Sequence, residues 1–311
     1  MISIIKQRKI WLTISSVLTI TSIIVFALWG LDLGIDFTGG SLLEIDFLIA
    51  RPSNQEIVSN LSELDLGSIT VQPNGEKGII LRFKETDEET HKKIISTLKE
   101  KFKETMSGGE GVTFELKVLE EKRFNSVGPT IGQELKQKTA WAIIVVIAAM
   151  ILYIAWAFRK VSKPIASWKY GLIAVIALSH DIVITVGIFA VLGKFYGLEI
   201  NAPFVAAILT ILGYSVNDTI VVFDRIRENL IRHLGENFEQ IVQNSINQVI
   251  TRSINTSLTT ILVLFSMLLF GGSTIRDFVL ALIIGISIGT YSSLFLASPL
   301  LVIWEKIRLK S

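Results

Sequence analysis

Two ionisable residues stand where an apolar helix normally excludes them. Asp218, at the end of Gly213-Tyr-Ser-Val-Asn-Asp218, lies about five residues, roughly 7–8 Å, inside the end of an apolar stretch, and Arg252 opens the next such stretch at a similar depth. A charge at the centre of a membrane helix costs about 2.5–3.5 kcal/mol on insertion scales, so each needs a reason to be there. Antiparallel neighbouring helices would bring the two together as a charge pair. A pair of that kind either fixes helix packing or handles protons, and the default reading of an intramembrane carboxylate is the second.

His180-Asp181 sits near the middle of another apolar stretch. Asp181 reads equally as a second titratable group or as an acceptor for a neighbouring hydroxyl, and His180 alone as a helix–helix contact. Gly285-Ile-Ser-Ile-Gly289 is spelled like the G-x-S-x-G elbow of serine hydrolases. That chemistry needs a strand-turn-helix that exposes Ser287 on a sharp bend. Inside an apolar span the better reading of Gly285 and Gly289 is G-x-x-x-G, small residues that let two membrane helices approach closely. The chain has no cysteine, and His91, His180 and His233 are far apart with no metal-ligand spacing. No metal or organic cofactor is expected. Protons are the coupling ion that these residues suggest.

Six helices must position such groups. Half of the 311 residues are apolar and only 19 % are charged, against about 25 % in a soluble domain. The net charge of +2 is too small to point to nucleic acid. A bilayer core about 30 Å thick needs roughly 20 apolar residues of helix. Stretches of that kind run near Ile10–Gly30, Thr139–Phe158, Tyr170–Leu192, Ala202–Phe223, Ile254–Phe270 and Phe278–Trp304. Fourteen basic residues flank one side: Lys6, Arg8, Lys9, Arg159, Lys160, Lys163, Lys169, Arg225, Arg227, Arg232, Arg252, Lys306, Arg308 and Lys310. The short loops of the other side hold Lys194 and Arg276. This asymmetry predicts cytoplasmic termini. The first apolar run is long for a signal peptide and no A-x-A-like site follows, so it reads as an uncleaved anchor. Asp224-Arg-Ile-Arg-Glu-Asn229 reads as a positive-inside flank with charge pairing one turn apart. The polar stretch Gln243–Thr260 suggests a face turned into a bundle or a wetted cavity.

The expected organisation is a first span with its flank (1–30), an outer domain (31–137) and a five-helix membrane domain (138–311). In the outer domain Ser41–Ala50 alternates, with Leu43, Ile45, Phe47 and Ile49 on one face, and reads as a strand. Ser53–Leu64 and Thr86–Thr105 read as helices, the first with an N-cap serine. Gly67–Val71 and Gly78–Lys84 read as strands around a Pro-Asn-Gly turn, and Val112–Val118 as a fourth strand. The order β-α-β-β-α-β is the ferredoxin-like motif, which by itself specifies no function. The fold class is thus an α-helical membrane protein of six transmembrane helices with an inserted α+β outer domain.

Leu33-Gly-Ile-Asp-Phe-Thr-Gly-Gly-Ser41, Val127-Gly-Pro-Thr-Ile-Gly-Gln-Glu-Leu135, Gly213 through Asn229 and Phe270-Gly-Gly together resemble the SecD/SecF family of protein-export membrane proteins, on its SecF side. The segment from Gly213 is the most specific, and the topology agrees over essentially the whole chain. The resemblance implies half of an RND-type membrane fold, completed by the sister subunit SecD. It also implies association with the SecYEG translocon in the bacterial plasma membrane, and use of the proton-motive force to help move preproteins outward. By the same resemblance, Asp218 and Arg252 match the family's intramembrane carboxylate and arginine, and Asp181 lies in a family-like His-Asp pair. Two other readings are a small-molecule or lipid permease half of the same superfold, and an intramembrane hydrolase using Ser287.

Overall fold

The computed structural model describes residues 3–48, 50–102, 105–108, 112–115, 118–157, 167–232 and 237–310. Ile49, His233, Arg159, Lys160 and Lys163, which enter the sequence argument, lie outside the described residues. The chain divides into two units, residues 33–138 and the remainder.

In the first unit, α2 (Ile35–Thr38) is a single turn, followed by β1 (Gly40–Phe47), α3 (Asn54–Leu61), β2 (Thr70–Asn74), β3 (Gly78–Phe83), α4 (Glu88–Lys101), β4 (Thr105–Gly108), β5 (Val112–Glu115) and β6 (Leu119–Val127). Four strands form an antiparallel sheet in the order β2-β3-β1-β6, and β4 and β5 form a separate hairpin. Leu43, Ile45 and Phe47 alternate on β1, and Ile79, Leu81 and Phe83 on β3. They meet Ile57 and Leu61 of α3 and Ile94 and Leu98 of α4 in one core. Both helices therefore cover the same face of the sheet. Ser53 caps α3 in a reciprocal capping box with Glu56, and Asp87 caps α4 by accepting from the Thr90 N–H at 2.9 Å.

The fourth strand of the sheet is a correction. Its place is taken by Leu119–Val127, and Val112–Glu115 pairs with Thr105–Gly108 instead. A bulge explains why alternation missed it. Arg123 faces Glu44 and Glu121 faces Ile45, so Lys122 is extra. Leu119 and Phe124, an odd number apart, can then both reach the core. A bulged edge strand has no clean period of two.

Residues 33–138 expressed alone are expected to fold as a mixed α/β domain. Leu81→Ala, which opens a cavity at the centre of this core, should cost it about 2–5 kcal/mol in urea unfolding. A random-coil circular dichroism spectrum would sink this expectation.

The second unit holds α1 (Arg8–Trp29), most of α5 (Pro129–Ala157), α6 (Ser167–Tyr196), α7 (Ala202–Arg232), α8 (Phe238–Phe270), α9 (Ser273–Ser292) and α10 (Ser298–Lys310). Six segments are long and apolar enough to cross a membrane, the last running continuously from α9 into α10. Leu28, Leu152 and Phe270 are among the large side chains left facing outward, as an apolar solvent requires. Inside, Tyr170, Phe223, Ile226, Val242, Leu294 and Leu301 belong to one continuous core.

Two boundaries exceed the apolar stretches. The fourth span runs on through the charged flank to Arg232 because its charges pair one turn apart: Arg225 with Glu228, Arg227 with Asp224 at 3.4 Å, and Arg232 with Glu228 at 2.7 Å. The fifth begins at Phe238, and of its polar first half only Ser245 and Ser253 are buried, while Asn244, Gln248, Thr251 and Arg252 are exposed, against the inward polar face expected from the sequence. There Asn229 Nδ2 donates to Ser245 Oγ and to Gln248 Oε1, each at 2.8 Å.

A five-residue π turn, Ser293–Ala297, interrupts the sixth span. Pro299 supplies the physical reason. It has no N–H to offer Phe295 and its ring crowds that carbonyl, so the regular ladder cannot continue.

Candidate proton-coupling site

Asp181 of α6 is fully buried. Three polar groups converge on it. His180 Nδ1 is 2.9 Å from Oδ1, and the hydroxyls of Ser215 (α7) and Ser292 (α9) donate to Oδ2 at 2.5 and 2.8 Å. The carboxylate thus ties three helices together, and each oxygen has a partner. The His180 ring also stacks near Tyr291 with centroids 6.3 Å apart, and Tyr291 reaches Ser15 of α1 at 3.0 Å.

Asp218 lies one turn beyond Ser215 on the same helix and is buried. Ser253 of α8 donates to its Oδ1 at 2.6 Å. Oδ2 has no hydrogen-bond partner among the described residues. The pair expected from the sequence does not form. Arg252 is exposed on α8, and no ion pair joins it to Asp218 among the described residues. Successive helical residues point about 100° apart, so when Ser253 faces Asp218 its neighbour Arg252 faces away. The hydroxyl next to the arginine makes the contact instead.

Gly285 and Gly289 lie on the face of α9 that meets α7. A Cβ added at Gly285 would fall inside Ile211, and one at Gly289 would come within 2.9 Å of Ser215 Cβ. Close approach there is what places Ser215 and Ser292 around one carboxylate. Ser287 lies within continuous α9, and its hydroxyl donates to Ile283 O at 2.7 Å. It therefore lacks the strand-turn-helix that a nucleophile elbow needs.

Sequence reasoning passed over Ser215, Ser253, Ser292 and Ser293. Each is a small hydroxyl in an apolar span and spells nothing alone. Their signal was spacing: Ser215 and Asp218 share a helix face, and Ser253 follows Arg252 directly.

The outer unit explains the glycine pair of the first motif. Gly39 and Gly40 have φ of +76° and +115°, and Cβ atoms there would meet Pro129 Cα at 2.8 Å and Phe83 O at 2.9 Å. Only glycine lets β1 begin against both.

Residues 111–307 match the family described as protein export membrane protein SecD/SecF, C-terminal, and residues 30–47 match the SecD/SecF GG motif. The chain is 43 % identical to the protein translocase subunit SecF of Thermobaculum terrenum, over 98 % of this chain and 94 % of that one. It is 38 % identical to the protein translocase subunit SecF of Anaerolinea thermophila, with the same coverage. Among solved structures it resembles SecDF, a translocon-associated membrane protein from Thermus thermophilus, with a TM-score of 0.78 and 28 % identity. That likeness covers 97 % of this chain, which spans only 38 % of the SecDF chain. With two family segments matched and relatives aligned almost end to end, the chain belongs to the SecD/SecF family of protein-export membrane proteins.

Proposed function

We propose that this chain works with a SecD-type sister subunit beside the SecYEG channel, as a non-enzymatic accessory that uses the proton-motive force to assist late steps of preprotein translocation. The observation that carries the reading is the placement of two buried carboxylates, Asp181 and Asp218, on hydroxyls from neighbouring helices of a six-span unit. Such groups are costly in a membrane and mark proton relays when they line a bundle interior. The solved relative SecDF is a translocon-associated membrane protein, which supports the partner assignment. Asp218 takes and releases the proton, held by Ser253. Asp181 forms a second titratable post on the shared α7–α9 contact. The part given to Arg252 rests on the resemblance and on its adjacency to Ser253. The bundle's shift moves the outer domain, which holds the emerging chain against backsliding.

Export of a preprotein into inverted vesicles, with and without a proton gradient, tests the reading. Gradient-dependent stimulation should require Asp218.

The same reading places the chain in the bacterial plasma membrane with both termini cytoplasmic, from the fourteen-to-two basic asymmetry. A topology reporter fused after Lys99 is therefore expected to be active only outside the cytoplasm, and one fused after Lys163 only inside. Activity of both on one side would contradict the orientation.

A further inference from the structure

Ser292 and Ser293 are consecutive, fully buried, and sit at the head of the π turn. Three donor groups stand within hydrogen-bond distance of one backbone carbonyl there. Gly289 O accepts from the Ser293 N–H and from Ser293 Oγ at 2.6 Å, and Ser292 Oγ lies 3.1 Å from it. Each serine also has a carboxylate as an alternative acceptor. Ser292 Oγ already reaches Asp181 Oδ2 at 2.8 Å, and Ser293, on the turn that packs against α7, has the Asp218 carboxylate as its second acceptor.

A hydroxyl has one hydrogen to give. Bonds to an ionised acceptor are roughly twice as strong as neutral ones. An ionised carboxylate therefore holds its serine, and a protonated one releases it to the Gly289 carbonyl. Ser292 Oγ has both acceptors within reach, Asp181 Oδ2 at 2.8 Å and Gly289 O at 3.1 Å, and Ser293 Oγ stands 2.6 Å from the same carbonyl.

We propose that Ser292 and Ser293 are positioning residues of proton coupling, a hydroxyl pair that reports the protonation of Asp181 and Asp218 to the head of the π turn. The proposal rests on the reading of those carboxylates as proton-handling groups. The π turn is suited to receive such a signal. Its backbone is already off the regular ladder beside Pro299, and Ser298 Oγ bridges back to Ser293 O at 3.2 Å, so the turn re-pairs hydrogen bonds without breaking a full helix. The titratable groups packed around the pair are Asp181 and His180 on α6, Asp218 on α7 and Tyr291 on α9. From α8, Ser253 faces Asp218, and no charged side chain there pairs with it among the described residues.

The test uses the full chain assembled with its sister subunit in inverted vesicles. Ser292→Ala, Ser293→Ala and the double variant are compared with wild type and Asp218→Asn. The double variant is expected to keep co-purification and gradient-independent export, and to lose gradient stimulation. Each single should lose part of it, because the remaining hydroxyl still serves the carbonyl. A second readout separates positioning from structure. In pH-difference infrared spectra the carboxyl band of Asp218, identified by its absence in Asp218→Asn, should shift in Ser293→Ala. If the double variant does not assemble, this band in the single variant decides. An unshifted band, or a double variant that keeps full stimulation while Asp218→Asn loses it, overturns the hydroxyl pair alone. If Asp218→Asn itself keeps stimulation, the proton-coupling reading falls and the pair falls with it.

Discussion

Asp218→Asn is expected to leave expression, membrane insertion and assembly intact, and to abolish the gradient-dependent part of export. The physical case is narrow. Asparagine has nearly the size of aspartate, and its amide oxygen can still accept the Ser253 hydroxyl that now lies 2.6 Å from Oδ1. Packing between α7 and α8 is therefore kept and titration is lost. The energy at stake is adequate. One charge moved through 100 mV is worth about 2.3 kcal/mol, which corresponds to roughly a fifty-fold bias between two states at about 1.4 kcal/mol per factor of ten. A purely structural carboxylate predicts a different pattern. Replacing Asp218 and Ser253 together by well-packed apolar residues would then be harmless or stabilising, because it removes a buried polar group and its partner at once. If that double variant keeps its gradient stimulation in inverted vesicles, Asp218 is not the proton site. Arg252→Met adds a discriminating control. Its side chain is exposed on α8 and makes no ion pair among the described residues, so its loss should not loosen this chain. Any fall in gradient stimulation would then belong to coupling rather than folding.

Much of this architecture was legible because the physics behind it is one-dimensional. Apolar run length fixes a membrane span almost by itself, and period-two alternation in Leu43, Ile45 and Phe47 fixes the inner face of a strand. Where a second chemistry overlays the pattern, reading along the chain stops short. Apolar content ends near Phe223, yet the fourth span continues on salt bridges, which hydropathy does not count. The last strand of the sheet hides behind a bulge that cancels its alternation. The carboxylates were found because charge in an apolar run is conspicuous. Their partners were not found, because a serine in a membrane helix is cheap and its meaning lies in what stands opposite. Asp218 and Arg252 illustrate the limit: α7 and α8 do meet beside Asp218, as the Ser253 bond shows, but position along a helix says nothing of azimuth. One residue, about 100° of rotation, separates the arginine from the hydroxyl that makes the contact.

Gly187→Val is expected to destabilise the membrane unit severely, although Gly187 bears no polar group and belongs to no motif that stands out in the sequence. Lipid tails are as apolar as the helices, so association depends on close approach at small residues. At Gly187 of α6 that approach is extreme. A Cβ there would fall inside Ser22 Cβ on α1 and lie 2.6 Å from its Oγ and 2.7 Å from its Cα. The last contact decides the size of the effect, since a backbone atom cannot rotate away and α1 as a whole would have to retreat. Retreat would also disturb Ser15 against Tyr291 and Trp11 against Phe295, the second 4.4 Å between ring centroids. Overpacking of this kind costs typically about 1–3 kcal/mol for an added group and more when nothing can yield, which places Gly187→Ala near that range and valine beyond it. Gly285→Ala should be milder, because the nearest obstruction there is the Ile211 side chain alone and no backbone atom stands in the way. Gly213→Ala is the counter-case. Its Cβ would meet nothing within 4 Å, so relief of glycine's helix penalty should leave the chain unchanged or more stable by about 0.5–1 kcal/mol. Thermal unfolding of the four purified variants in mild detergent should therefore rank them Gly213→Ala, Gly285→Ala, Gly187→Ala, Gly187→Val, from most to least stable. A Gly187→Val protein that unfolds with the wild type would show that α1 does not need this contact, and the close α1–α6 approach would lose its claim to hold the bundle together.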